Sequence, residues 1–146
     1  MSNSTFSGPI KAGTVKENAG ANLGFAVLAQ SAPFVQSTTA AATTIIIPAY
    51  SQILDIAVYI TTACDGASQN MSVGTSVTST ELFTLLALGT GANTIFFGND
   101  GTPGDVDIWE NVGTSDITIW QDMSAGSAGR GTITVTYVQN DTASAL

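Results

Sequence analysis

The stretch that most constrains the fold is Thr43–Thr62, TTIIIPAYSQILDIAVYITT. It is the most apolar and most β-branched part of the chain. Leu54, Ile56, Val58 and Ile60 fall on one side at period two, and Asp55, Ala57, Tyr59 and Thr61 fall on the other. That alternation marks a strand with one face on a core and one nearer water. Pro48 cannot donate to a central ladder, so it and Ala49-Tyr50-Ser51 separate this strand from a shorter one over Thr43–Ile47. Two strands joined by a corner result, and the remaining strands must pair with them or pack on them.

The rest of the chain reads as short strands between turns. Leu23–Gln30 alternates and is read as a strand, turned by Ser31-Ala32-Pro33; Phe34–Ala42 fits a short edge strand or a loop. Cys64–Asn70 carries hairpin-loop chemistry, and Met71–Thr75 returns with Met71 and Val73 inward. Thr78–Leu88 is the one candidate helix, with Ser79 or Thr80 as cap, Leu82, Phe83, Leu85 and Leu86 on one face and Gly89 as stop; its rival reading is a buried strand. Strands follow at Thr94–Gly98, Val106–Asn111, Asp116–Asp122 and Thr132–Gln139, separated by the Asn99–Gly104 turn and a glycine-rich, flexible tip over Ser124–Gly131. In the last strand Ile133, Val135 and Tyr137 face inward. About eight or nine strands with one short helix predict an all-β fold. A two-sheet jelly-roll sandwich fits best, with an immunoglobulin-like sandwich second because the two-cysteine spacing is missing. The expected division is an extended N-terminal arm over residues 1–22, the β-sandwich over 23–140 and a polar tail over 141–146. At 146 residues one domain can bury a core without disulfides or metals.

Charge narrows the partners. Three Lys+Arg stand against eleven Asp+Glu, for a net charge of −8. Nucleic acid and anionic membranes are poor partners for such a surface. There is no histidine, so the commonest general base and metal ligand is missing. The start lacks a cationic segment followed by an apolar run, and no stretch approaches the length of a membrane span. The single cysteine, Cys64, is read as a small buried hydrophobe, with a reactive thiol as the alternative. Both lysines, Lys11 and Lys16, lie in the first 22 residues among the isolated apolar residues Phe6, Ile10 and Val15. That segment is either a frayed terminus or an arm laid on another chain, anchored by Phe6, Ile10 and Val15, with Lys11 and Lys16 against an acidic neighbour.

Few residues point to chemistry. Asp100, Asp105, Asp107 and Glu110 form the one cluster of hard-cation ligands, but the spacing departs from an EF-hand loop, and solvated turn acids are the plainer reading. Glu81 and Glu110 would serve glycoside hydrolysis only if a cleft brought them together. Trp109 and Trp120 lie opposite Ile108 and Ile119, where they either pack at the rims or offer a surface to a protein or a sugar. Arg130 is the only cation beyond the first 22 residues. It is either free or paired with an acid of a neighbouring subunit, and Asp55 and Tyr59 are the residues of the less apolar strand face expected to meet another subunit. No cofactor, metal or catalytic residue is expected.

The run IIIPAYSQILDIAVYITTACDG, then MSVGTSVTSTELFTLLALGT, NVGTSDITIW and the closing GTITVTYVQ resembles small tailed-phage virion proteins, namely the single jelly-roll capsid decoration (cement) proteins and related head-surface proteins. In that group an I-P-x-x-S-x-I-x-D-I-x-V-x-I-T-T-A pattern precedes an S-V-G-T strand, a short helical connection and a last strand ending T-Y-V-Q. The resemblance spans Ile45 to Gln139, and Phe6–Lys16 resembles the arms of such proteins less specifically. It implies a non-enzymatic structural virion protein made in the host cytoplasm. By that likeness such a protein binds the major capsid protein on the outer capsid surface as a homotrimer and stabilises the lattice. A carbohydrate- or receptor-binding jelly-roll module of a head fibre or tail is the alternative.

Overall fold

The computed structural model describes residues 11–13, 23–37, 39–66, 70–77, 81–87, 91–97, 112–123 and 126–139. They hold ten strands: β1 (Lys11–Gly13), β2 (Leu23–Phe25), β3 (Leu28–Val35), β4 (Ala41–Ile47), β5 (Ser51–Thr62), β6 (Asn70–Gly74), β7 (Phe83–Ala87), β8 (Thr94–Phe97), β9 (Ile117–Met123) and β10 (Arg130–Gln139). β1 and β2 form a small ribbon of their own, in which Lys11 pairs with Phe25. The other eight make two four-stranded sheets, ordered β3-β10-β5-β8 and β4-β9-β6-β7.

The pairing is nested. β3 pairs with β10, β4 with β9, β5 with β8 and β6 with β7, all antiparallel. The chain therefore behaves as one long hairpin whose tip is β6–β7. The β10–β5 and β9–β6 pairings then roll that hairpin into two sheets. This is the jelly-roll arrangement of eight strands.

Alternation places the core between the sheets. β3 contributes Ala32 and Phe34, β4 Ile45 and Ile47, β5 Ile53, Ile56, Val58 and Ile60, β6 Met71 and Val73, β9 Ile119 and Met123, and β10 Ile133, Val135 and Tyr137. Leu82, Val112 and Cys64 complete the cluster from the connections. Each fully buried aliphatic side chain stabilises the fold by about 1.5–3 kcal/mol.

Several expectations are corrected. The helix expected over Thr78–Leu88 is not formed in its described part, since Phe83–Ala87 is strand β7, with Met71 opposite Leu86 and Val73 opposite Phe83. A central β6 needs a ladder partner on each side, and that demand overrides a short apolar run with no period of its own. The turn at Ser31–Pro33 is also absent, because β3 runs straight through it. Pro33 is tolerated there because β3 is an edge strand. Leu54 is half-buried and Ile53 is the core residue. The register with β10 slips between Thr136, opposite Asp55, and Tyr137, opposite Ile53, so a bulge reverses the alternation at Leu54. Cys64–Asn70 is not a hairpin loop, since β5 and β6 belong to different sheets.

Side chains bridge the irregular places. In β4 the ladder slips between Ala42 and Ile46. There the Thr43 hydroxyl accepts from the Ile45 N–H at 3.1 Å and donates to the Ile119 carbonyl at 2.8 Å. At the β4–β5 corner Tyr50 takes a positive φ of 59°. Its N–H donates to the Gly113 carbonyl, and the Ser51 carbonyl accepts from Val112 N–H, both at 2.8 Å.

Candidate interaction surface

Two regions combine exposed or polar side chains with defined geometry. The first is the outer face of the β3-β10-β5-β8 sheet. Its registers align Pro33, Thr132, Tyr59 and Ile95 in one row across all four strands. The neighbouring row is Ser31, Thr134 and Ala57, whose two hydroxyls are 2.8 Å apart. Tyr59 is 39 % exposed, Ile95 51 % and Val35 49 %. The Tyr59 hydroxyl donates to Asn93 Oδ1 at 3.1 Å, which fixes the ring on the sheet. Two charges flank this face. Arg130 stands beside Val35 at one end, and Asp55 stands beside Thr136 toward the other.

The opposite sheet is different. Both faces of its β6 are buried from Met71 to Gly74, whereas the centre of the first sheet is open at Tyr59. Trp120 in β9 is half-buried, in register with the small Ala42 and Gly74. Its ring is partly covered rather than fully exposed.

The second region closes one end of the sandwich. Gln36, only 3 % exposed, follows Ala32 and Phe34 on the inward side of the β3 segment. Its Nε2 donates to the Asp65 carbonyl at 2.7 Å. Its Oε1 accepts from Asp65 N–H at 3.1 Å and Gly129 N–H at 3.0 Å. Gln36 N–H in turn donates to the Gly129 carbonyl at 2.8 Å. Asp65 Oδ1 accepts from Ala128 N–H at 2.9 Å and Ser127 N–H at 2.7 Å. The residues expected as a flexible tip are thus tied down over 126–129, because a buried amide and a carboxylate supply the partners that a glycine-rich loop otherwise finds in water. Backbone donation from Ala128, then Ser127, holds the Asp65 carboxyl below the usual carboxylate range. Burial, with a smaller contribution from Asp65, pushes the Cys64 thiol up. At 5 % exposure Cys64 is the buried hydrophobe expected, and its thiol stays protonated at neutral pH.

A second glutamine bridge joins the sheets at their edge. Gln30 Nε2 donates to the Ile46 carbonyl at 2.6 Å, and its Oε1 accepts from Ile46 N–H at 3.1 Å. The amide thereby occupies a backbone position that would otherwise lie open on the β4 edge. It also meets the Tyr137 hydroxyl at 3.0 Å.

Among the residues singled out from sequence, Tyr59 and Asp55 share the outer sheet face with Arg130, whose Nη1, among the described residues, reaches only the adjacent Gly129 carbonyl at 3.4 Å. Lys11 lies in β1. Phe6, Ile10, Val15 and Lys16 lie outside the described residues, as do Asp100, Asp105, Asp107, Glu110 and Trp109. Glu81 turns its Oε1 to the Thr75 hydroxyl and to Thr75 N–H, beside the β6–β7 connection. Among the described residues, no three His, Cys, Asp or Glu side chains come together as metal ligands. Sequence reasoning missed Ile95, Val35, Gln30, Gln36 and Asp65. The usable signal for Gln36 is its inward parity after Ala32 and Phe34, once β3 is extended to Val35.

No family model and no curated protein matches the sequence. Solved structures share the fold over nearly the whole chain, among them the following. A chain of the acid-stable capsid structure of Helicobacter pylori bacteriophage KHP30 aligns with a TM-score of 0.57 at 12 % identity, covering 88 % of this chain and 91 % of that one. A chain of the capsid of Ralstonia phage GP4 gives 0.55 at 14 % identity, covering 90 % and 92 %. A chain of the cyanophage Pam1 capsid asymmetric unit gives 0.53 at 17 % identity, covering 87 % and 99 %. What this chain shares with them at such identities is the jelly-roll fold.

Proposed function

We propose that the protein is a structural component of a phage virion, a decoration protein that binds the outer capsid surface as a homotrimer and stabilises the lattice. The observation that carries this reading is the whole-length match to chains from three phage capsid structures. Those chains are covered over 91 %, 99 % and 92 % of their own lengths, so the likeness runs through nearly all of each of them. The role is structural rather than catalytic. Its physical basis is mass action: a protein that binds only the assembled lattice stabilises it by about 2.7 kcal/mol per site at a free concentration a hundred times its Kd. Multivalent attachment multiplies the effect. In this reading Phe6, Ile10 and Val15 anchor the N-terminal segment on the major capsid protein, and Lys11 and Lys16 meet its acidic groups.

The test is co-sedimentation with expanded, undecorated capsids of the same phage. The full chain pellets with capsids at a saturable stoichiometry and raises their disruption temperature. A chain lacking Met1–Asn22 keeps its β-sheet circular dichroism and stays in the supernatant. Full-strength capsid binding by the truncated chain would refute the role given to the arm, and no binding by the full chain would refute the decoration reading.

A further inference from the structure

We infer that the outer face of the β3-β10-β5-β8 sheet is where a second copy of this chain docks, with Arg130 of one copy paired to Asp55 of the next. The inference rests on the self-association in the proposed function and names the surface that performs it.

Charge complementarity identifies the occupant. The chain carries a net charge of −8, so two copies repel each other over most approaches. Arg130 is its only Lys or Arg beyond residue 16, so this face is where the β-sandwich can offer a cation to another copy. The acid it can meet lies on the same face. Thr136 aligns with Asp55, and Thr136 and Arg130 are six positions apart on the same side of β10. At about 3.3 Å per residue that is roughly 20 Å, far too long for an ion pair within one chain. Among the described residues no side chain bonds to Asp55, and Arg130 reaches only the carbonyl of its neighbour. Two complementary charges are therefore held apart on one sheet, with neither paired to the other or to another charge among the described residues.

Between them the surface suits close apposition. Ala57, Ser31 and Thr134 are short side chains on a continuous ladder, and Tyr59, Ile95 and Val35 supply exposed apolar area next to Arg130. Tyrosine and arginine are the residue types that most often dominate binding energy in interfaces. The Tyr59 hydroxyl bond to Asn93 fixes its ring before binding, which lowers the ordering cost. Repeated around a three-fold axis, the head-to-tail contact places each Arg130 against the next Asp55 and leaves no charge of the face unpaired.

Sedimentation velocity of the full chain over a concentration series tests this. The wild-type chain associates. Arg130→Asp and Asp55→Arg each weaken association at least about tenfold, by replacing attraction with like-charge repulsion. Combining Arg130→Asp with Asp55→Arg restores it, which an intrachain effect cannot do across that distance. Ala57→Glu, in the middle of the face, blocks association in both backgrounds. Unchanged melting temperatures for the charge variants show that folding is not the cause. A monomeric wild type, single variants that associate normally, or a double variant without recovery would each overturn the inference. Capsid co-sedimentation of the same proteins separates the two readings. A wild-type chain that is monomeric yet binds capsids refutes this interface and leaves the decoration role standing, whereas a wild-type chain that self-associates through this face but ignores capsids does the reverse.

Discussion

Gln36 and Asp65 grip each other through both ends of one amide: Gln36 Nε2 donates to the Asp65 carbonyl at 2.7 Å while Asp65 N–H donates back to Gln36 Oε1 at 3.1 Å. The same Oε1 also takes Gly129 N–H. One side chain thus substitutes for a short piece of ladder where three chain segments meet. Gln36→Ala leaves these groups without partners in a buried place. Unpaired buried polar groups cost about 1–3 kcal/mol, and the expected loss here is about 3 kcal/mol. Urea unfolding measures it, and limited proteolysis near 126–129 shows where the structure opens.

The Asp65 carboxylate adds a pH dependence of known sign. Its folded-state pKa lies below the ordinary value of 3.8, so the folded state prefers it ionised. The contribution is present above the unfolded-state pKa and is lost as pH falls through the lower folded-state value. Acid unfolding of the wild type should therefore show a component below pH 3.8 that Asp65→Asn lacks. A titration of the Asp65 carboxyl carbon by NMR checks the direction.

Gly131 is required by its neighbours. A Cβ there would sit 2.5 Å from Cε1 of Phe34 and against the Tyr59 carbonyl. Gly131 is directly opposite Phe34, at the slip between Arg130 and Gly131 in the β10–β5 ladder. Overpacking a tight core costs about 1–3 kcal/mol, and Gly131→Ala should reach the upper end because one obstacle is backbone. The midpoint of a denaturant titration moves accordingly.

Gln121 makes the opposite case. It is buried on the inward side of β9, and its Oε1 has no hydrogen-bond partner among the described residues. Removing an unsatisfied buried polar atom relieves a desolvation penalty. Gln121→Met, close in shape, should stabilise the protein by about 1 kcal/mol, read as a rise in melting temperature by calorimetry.

These residues also show what can be read from a chain like this. Period-two alternation finds the inward sides of β10 and most of β5, because a strand with one buried face must place its apolar residues that way. It fails at Leu54, where a bulge adds one residue and reverses the phase. It fails at Phe83–Ala87 because a short apolar run fits a helix or a buried strand equally, and only the unpaired edge of β6 decides. The Gln36 knot joins positions 29 and 93 residues apart, so local composition holds no trace of it. Asp65 and 126–129 read as solvated loop residues until the fold brings them together. Arg130, Asp55 and Tyr59 were legible as candidates from charge scarcity and strand parity, but their common sheet required the β10–β5 register.

The nested pairing also sets an order of events. Its outermost pair joins the first and last strands of the sandwich, and the Gln30–Tyr137 bond there spans 107 positions. β5 cannot find its central partner, β10, until nearly all of the described sequence exists. During synthesis the β6–β7 tip can form early, but the core stays open to solvent until β10 emerges. Folds dominated by such distant pairings close in milliseconds to seconds rather than microseconds. Newly made chains therefore pass through an interval with bare strand edges, whereas the Gln30 amide, only 16 positions from Ile46, needs no late strand to cover its part of the β4 edge.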